Sequence, residues 1–386
     1  MAKRRKEKDE EEDKPFKMPK FDEKKFLTKE KRNIKVTFLS ALFGIFLSLL
    51  CFGFYALMGP ETPARWYLLL MVAIANAAFL KYIFIKLNID LSDFTNKNWF
   101  SALATYFFVW LILLIVLVNP PIHDEESPLV DLVVLPKMQE YGGTINIYAK
   151  ITDNAGIEKS GISLEINDET IPQSQYEFKN NIFTYIHQSP VASEQDQTFE
   201  YTLTIEDISG LETQKTGSFT YSEDVISLVD PDAGSEIEAV DDIKIRVNAK
   251  INRVYYTVND GHPINATIDP SRENYYVSNA EYKGWPAEKN KTVTVKVYAE
   301  KAYYFENYLE NDKFVKFNNT IMDNTSYIFK IGDDTTDIGE KDLITVDMPE
   351  GKFVSAPGFE AIVFIISLVT LALIFKYKKK NQKNKK

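Results

Sequence analysis

Four stretches of the chain, roughly 36–58, 66–87, 99–118 and 359–375, are apolar over lengths that reach or approach the ~20 residues an α-helix needs to cross a hydrocarbon core. A chain built this way cannot fold as one water-soluble globule, although its average composition, with a net charge of −10 over 386 residues, has that look. The first block, Val36 to Met58, holds no charged side chain and follows a charged segment too long for a signal peptide. The second opens at Arg65-Trp66-Tyr67 and closes around Lys81 to Lys86, placing amphipathic rings where a membrane interface favours them. The third runs from Trp99 past Trp110 to Asn119-Pro120-Pro121. The fourth, FEAIVFIISLVTLALIF, is followed at once by a Lys-rich tail.

Charge sorts the flanks. Residues 1–35 carry 14 basic and 9 acidic side chains, and residues 376–386 carry seven Lys and no acid. Residues 119–375 hold 20 basic against 43 acidic. Lys29, Lys31, Arg32, Lys35, Lys86 and Lys97 mark one side of the membrane as cytoplasmic, while GPETPAR and NPPIHDEESP are neutral or acidic. The expectation is a multi-pass cell-membrane protein with both termini cytoplasmic and residues 119–357 exterior. Four N-x-S/T triplets, at Asn265, Asn290, Asn318 and Asn324, lie in that exterior block and are candidate glycosylation sites. The single cysteine, Cys51, falls in an apolar block, so the exterior is expected to fold without disulfides, as on a prokaryotic surface.

From about 127 to 332 the apolar residues alternate, as in half-buried antiparallel sheet. Ile145, Ile147, Ala149 and Ile151 share a face, as do Ile162, Leu164 and Ile166, then Tyr201, Leu203 and Ile205. The pattern returns with Ile243, Ile245 and Val247, with Val254, Tyr256 and Val258, and with Val293, Val295 and Val297. Turn chemistry separates the runs at Asp153-Asn154-Ala155-Gly156, Ser209-Gly210 and Asn259-Asp260-Gly261. Ala149-Lys150-Ile151 recurs as Ala249-Lys250-Ile251, which suggests two tandem units.

Three resemblances follow. TDNAGIEKSGISLEIND with YTLTIEDISGLETQKTGSF is similar to Ig-like or fibronectin-type surface modules, which implies fold and location but no chemistry. The first three apolar blocks, through Lys97-Asn98-Trp99-Phe100, Phe107-Phe108-Val109-Trp110 and Asn119-Pro120, resemble archaeal relatives of subunit six of the ER membrane protein complex. That family implies a membrane-protein insertase and an Oxa-type partner. A large exterior domain and a fourth helix depart from its pattern. Pro357-Gly358-Phe359, an apolar helix and a Lys tail resemble an archaeal PGF-type sorting signal, which implies cleavage and lipid re-anchoring.

Catalytic chemistry is not written in the sequence. His123, His187 and His262 stand apart with no ligand-spaced acid or Cys, and no G-x-S-x-G, H-E-x-x-H, Walker or dinucleotide motif occurs. The acidic clusters Asp230–Asp232, Asp241-Asp242 and Asp333–Asp337 lack Ca²⁺-loop spacing and read as solvated loops. No catalytic residue, metal or cofactor is expected. Asn76, amid Ala73, Ala75, Ala77 and Ala78, is a candidate for helix packing or for a membrane groove, together with Trp99 and Trp110.

The expected architecture is membrane α-helical, with four transmembrane helices, plus all-β, with two tandem Ig-like β-sandwiches outside the membrane. It comprises a basic, charged cytoplasmic tail (1–35), a three-helix transmembrane bundle (36–118), a linker (119–126), sandwiches at 127–223 and 224–332, an acidic stalk (333–357), a fourth transmembrane helix (358–375) and a Lys-rich tail (376–386). The function expected is a non-enzymatic accessory to membrane-protein insertion or translocation. Its partners would be membrane lipid and an Oxa-type insertase or translocation channel. The alternative is a surface structural or adhesion protein binding surface-layer proteins or glycans. Residues 7–13, EKDEEED, interrupt the N-terminal basic run and argue against a nucleic-acid partner.

Overall fold

A computed structural model describes residues 23–354, in two compact units that divide after Glu125. The fourth apolar block, the Lys-rich tail and Pro357-Gly358-Phe359 lie outside the described residues.

The first unit is helical. Helix α1 (Glu23–Met58) is continuous over 36 residues. At 1.5 Å per residue it is about 54 Å long, far more than a bilayer core of about 30 Å requires. It begins well before the apolar block because Lys, Glu and Leu are strong helix formers and no Pro or Gly occurs between Glu23 and Phe43. Helices α2 (Arg65–Ala77) and α3 (Phe79–Lys86) form one apolar span interrupted at Ala78. Helix α4 (Asn96–Leu117) ends before Asn119-Pro120-Pro121, where proline can no longer donate to a helical ladder. Three spans are thus long and apolar enough to cross a membrane among the described residues.

Small residues let these helices close on one another. Gly44 of α1 faces the Tyr106 backbone of α4 so tightly that a Cβ there would lie 2.7 Å from the Tyr106 carbonyl oxygen. Around this approach are buried Leu47, Cys51, Tyr55, Leu69, Ala73, Phe84, Tyr106, Trp110 and Leu114. The Tyr106 hydroxyl donates to the Ala73 carbonyl of α2 at 2.8 Å, and its ring stacks on Phe43 of α1. One side chain therefore ties all three spans. Phe38, Phe46, Met71, Phe100 and Phe108 point outward, as a lipid-facing surface requires.

The second unit is all-β. A four-stranded sheet runs in the order Leu129–Leu135, Ile145–Thr152, Ile182–His187, Tyr176–Lys179. A five-stranded sheet runs in the order Met138–Glu140, Glu212–Ser222, Gln197–Glu206, Ile162–Ile166, Glu169–Thr170. Both contribute to one core, in which Ile145, Ile147, Leu164, Leu203 and Ile205 are fully buried. From Ile226 to Ile331 a nine-stranded sheet surrounds a second core containing Ile243, Ile245, Val254, Tyr256, Val293, Val295 and Val297. Strand Ile264–Ile268 carries this sheet round its core, because one half pairs with Arg253–Val258 and the other with Tyr275–Asn279.

Adjacent Asn and Asp residues set the tight hairpins. Asn167-Asp168, Asn180-Asn181 and Asn311-Asp312 all have positive φ and join directly paired strand ends. That is the backbone of a two-residue primed turn, which Asn and Asp tolerate best after glycine.

Two sequence readings change. Ala149-Lys150-Ile151 lies within a strand, but Ala249-Lys250-Ile251 lies in the connection after Val247, so these triplets are not equivalent positions of a repeat. The acidic segment from 333 onward runs against the sheets: Ile338 is buried, the Ile344 carbonyl accepts from Asn265, and Asn307 exchanges hydrogen bonds with Val354. Its charges sit between apolar and backbone anchors that alternation alone does not reveal.

Candidate functional site

The helical unit carries two kinds of feature that could act on a partner, namely a groove on its side and polar clusters at its ends. The groove, about 490 Å³, lies beside the interruption between α2 and α3 and is lined by Ala77, Ala78, Lys81, Tyr82, Trp99 and Leu103. The Asn76 amide donates to the Val72 carbonyl of its own helix at 2.8 Å, so it competes for the backbone acceptor of the turn that precedes the break. Asn76 is half-buried and makes no cross-helix bond among the described residues; Tyr106 makes one instead.

The two tryptophans serve different places. Trp99 packs with Phe94 and Phe84, with ring centroids 5.1 and 6.1 Å away, while one side lines the groove. Trp110 is buried between α4 and α1, next to Phe107 and close to Cys51. One side of Trp99 is thus open to the groove, whereas Trp110 belongs to the core.

Sequence reading missed a cluster at the end of the bundle where α1 stops. Arg65 pairs with Glu125, lies 3.8 Å from the centroid of the Tyr55 ring and donates to the Tyr55 hydroxyl at 2.6 Å. His123 meets the second Glu125 oxygen at 2.9 Å and sets its ring edge-on to Phe52 and Tyr55. The Arg65 guanidinium holds the Glu125 carboxyl below the usual range. His123 therefore does have an acidic neighbour. The signal was the spacing in His123-Asp124-Glu125, which places His and Glu two residues apart, but no spacing could bring Arg65 to them.

The other candidates scatter. His187 lies among Tyr185, Phe199, Phe219 and Tyr221, where burial lowers its pKa, whereas His262 is exposed. Asp230 and Asp242 both pair with Lys244, and Asp241 accepts from the Glu238 amide, so these acids are engaged locally. Of the sequon asparagines, Asn265 is only 8% exposed and its amide is spent on the Ile344 carbonyl. Asn318 and Asn324 are exposed but donate to Glu300 and to the Tyr141 carbonyl. Asn290 stands exposed at a turn with positive φ.

Residues 30–119 match the EMC6-arch family model. The match begins in α1 and ends just after α4, so it covers all three spans but stops short of His123 and Glu125, and it comprises under a quarter of the chain. No curated protein matches the chain. The β-region has Ig- and fibronectin-III-like neighbours among solved structures. Fibronectin(III)-like modules of CbhA from Clostridium thermocellum are 16% identical, with 53% of this chain and 93% of that chain covered and a TM-score of 0.26. The Ig1-2 module of the Drosophila receptor protein tyrosine phosphatase DLAR is 13% identical, with coverages of 53% and 99% and a TM-score of 0.23. Chimeric titin Z1Z2 is 13% identical, with coverages of 55% and 100% and a TM-score of 0.24.

Proposed function

We propose that the protein is a non-enzymatic, multi-pass membrane accessory to membrane-protein insertion or translocation, with the β-region acting outside the membrane as two tandem Ig-like sandwiches. The observation that carries this reading is the EMC6-arch match over the three-span bundle. The side groove, apolar apart from Lys81 and flanked by a break in the α2–α3 span, suits transient contact with an apolar client segment or with an insertase helix. Orientation is part of the proposal. Lys29, Arg32 and Lys35 lie with the α3–α4 connection at one end of the bundle, the end expected to be cytoplasmic, with 119–357 exterior.

The test is a mild-detergent purification of the native protein from its own membranes with mass spectrometry of what accompanies it. Recovery of an Oxa-type insertase or a translocation channel supports the proposal, and Trp99→Ala should weaken that recovery while Cys51 remains protected from maleimide. Recovery of surface-layer proteins alone would sink it. That second outcome is the one favoured by the acidic excess of 119–375, and it would assign the chain to surface adhesion.

A further inference from the structure

Where α1 begins, its first turns and the α3–α4 connection enclose a cleft of about 700 Å³. Five cations, Lys29, Arg32 and Lys35 among them, line it against two carboxylates, Asp90 and Asp93. Both carboxylates are engaged. Asp90 accepts from the Ser92 amide at 2.9 Å and its hydroxyl at 2.6 Å, and Asp93 lies 3.6 Å from Lys29. Arg32 is held in place, because its guanidinium lies 5.3 Å from the Phe94 ring centroid and donates to the Asp90 carbonyl at 3.2 Å. Its buried Nε nonetheless has no hydrogen-bond partner, and no carboxylate pairs with Lys35 among the described residues.

A concave surplus of three positive charges carries a repulsive cost that a bound anion would remove. Its depth identifies the anion. The cleft ends at Lys35, and the apolar block starts at Val36, so it lies at the level where hydrocarbon gives way to headgroups. Leu87 forms part of its apolar wall. We propose that this cleft binds the phosphodiester headgroup of an anionic membrane lipid, with Arg32 and Lys35 on the phosphate and Leu87 against the glycerol end. The proposal requires only that α1 spans a membrane and stands apart from any role in insertion.

The full-length protein would be placed in nanodiscs of equal parts phosphatidylcholine and phosphatidylglycerol, then released for native mass spectrometry of retained lipid. Wild type should retain a phosphatidylglycerol. Arg32→Gln with Lys35→Gln should lower retention roughly tenfold or more, since each substitution loses a direct charge-assisted hydrogen bond to the phosphate. Lys86→Gln with Lys97→Gln removes the same charge at the same end but outside the cleft, and should stay within about twofold of wild type. Equal losses from both pairs would mean diffuse attraction and overturn the site. Asp93→Asn, which frees Lys29, should raise retention, and it decides the matter if the double variant misfolds; no rise counts against the site. Inorganic phosphate that binds as tightly as the lipid would overturn the lipid assignment.

Discussion

Glu140 shows how a single buried carboxyl can make the β-region sensitive to pH. It is 6% exposed and accepts from the Ile226 amide at 3.0 Å. Burial pushes its pKa up to about 7, the Ile226 and Val225 amides oppose this, and the charges of Asp323 and Asp224 add to it. A folded pKa above the unfolded value of 4.5 means that the folded state binds the proton more tightly. The contribution is therefore fully favourable below about 4.5 and is lost as pH rises through about 7. His187 acts oppositely: its lowered pKa favours the folded state above its ordinary 6.5 and loses that advantage in acid. Glu140→Gln keeps a carbonyl acceptor and removes the charge. It should leave stability near pH 4 almost unchanged and raise it near pH 8 by on the order of 1–3 kcal/mol. Thermal melts of the full chain across that range, followed by near-UV circular dichroism, check this; a pH-independent difference from wild type would exclude the assignment.

At the scale of the element, magnitudes separate the polar tie of the helical bundle from its close packing. The Tyr106 hydroxyl bond to Ala73 is a cross-helix hydrogen bond, worth about 0.6 kcal/mol on average in membranes. Gly44 meets backbone, not a yielding side chain, so any larger residue must push α1 away from α4. Gly44→Val should then destabilise the bundle by more than 1 kcal/mol, and Tyr106→Phe by less. Cys51, the only cysteine and fully buried in this interface, is a built-in reporter. Maleimide should label it much faster in Gly44→Val than in Tyr106→Phe, and similar rates would contradict the ranking. The spans themselves were legible because apolar length is a property of one segment. The alternating strands were legible for a like reason, since burial of Ile243, Ile245 and Val247 follows the side-chain period of two. The reach of α1 back to Glu23, the break at Ala78 and the Arg65–Glu125 pair were not, because each depends on backbone competition or on partners distant in sequence.

For the whole β-region, the decisive contacts join residues nearly two hundred positions apart. The Asn319 amide donates to the carbonyls of Leu135 at 3.0 Å and Thr144 at 2.7 Å, and fully buried Gln139 donates to Thr144 and Thr320. Asn324 reaches the Tyr141 carbonyl at 2.6 Å, and Leu135, Ile182, Phe305 and Phe317 pack in an apolar cluster nearby. A flexible linker between two sheet systems would carry none of this. Each buried carbonyl left unpaired costs about 1–3 kcal/mol, so loosening the junction is opposed several times over. The two systems should consequently move as one body. Spin labels at Thr170→Cys and Lys289→Cys, both exposed and one on each system, should give a single narrow distance distribution in the full chain. Adding Asn319→Leu and Asn324→Ala, which removes three of the bridging hydrogen bonds, should broaden it without melting either core. A broad distribution in the parent would mean that the junction bends, and any partner would then meet two independently oriented surfaces instead of one rigid face.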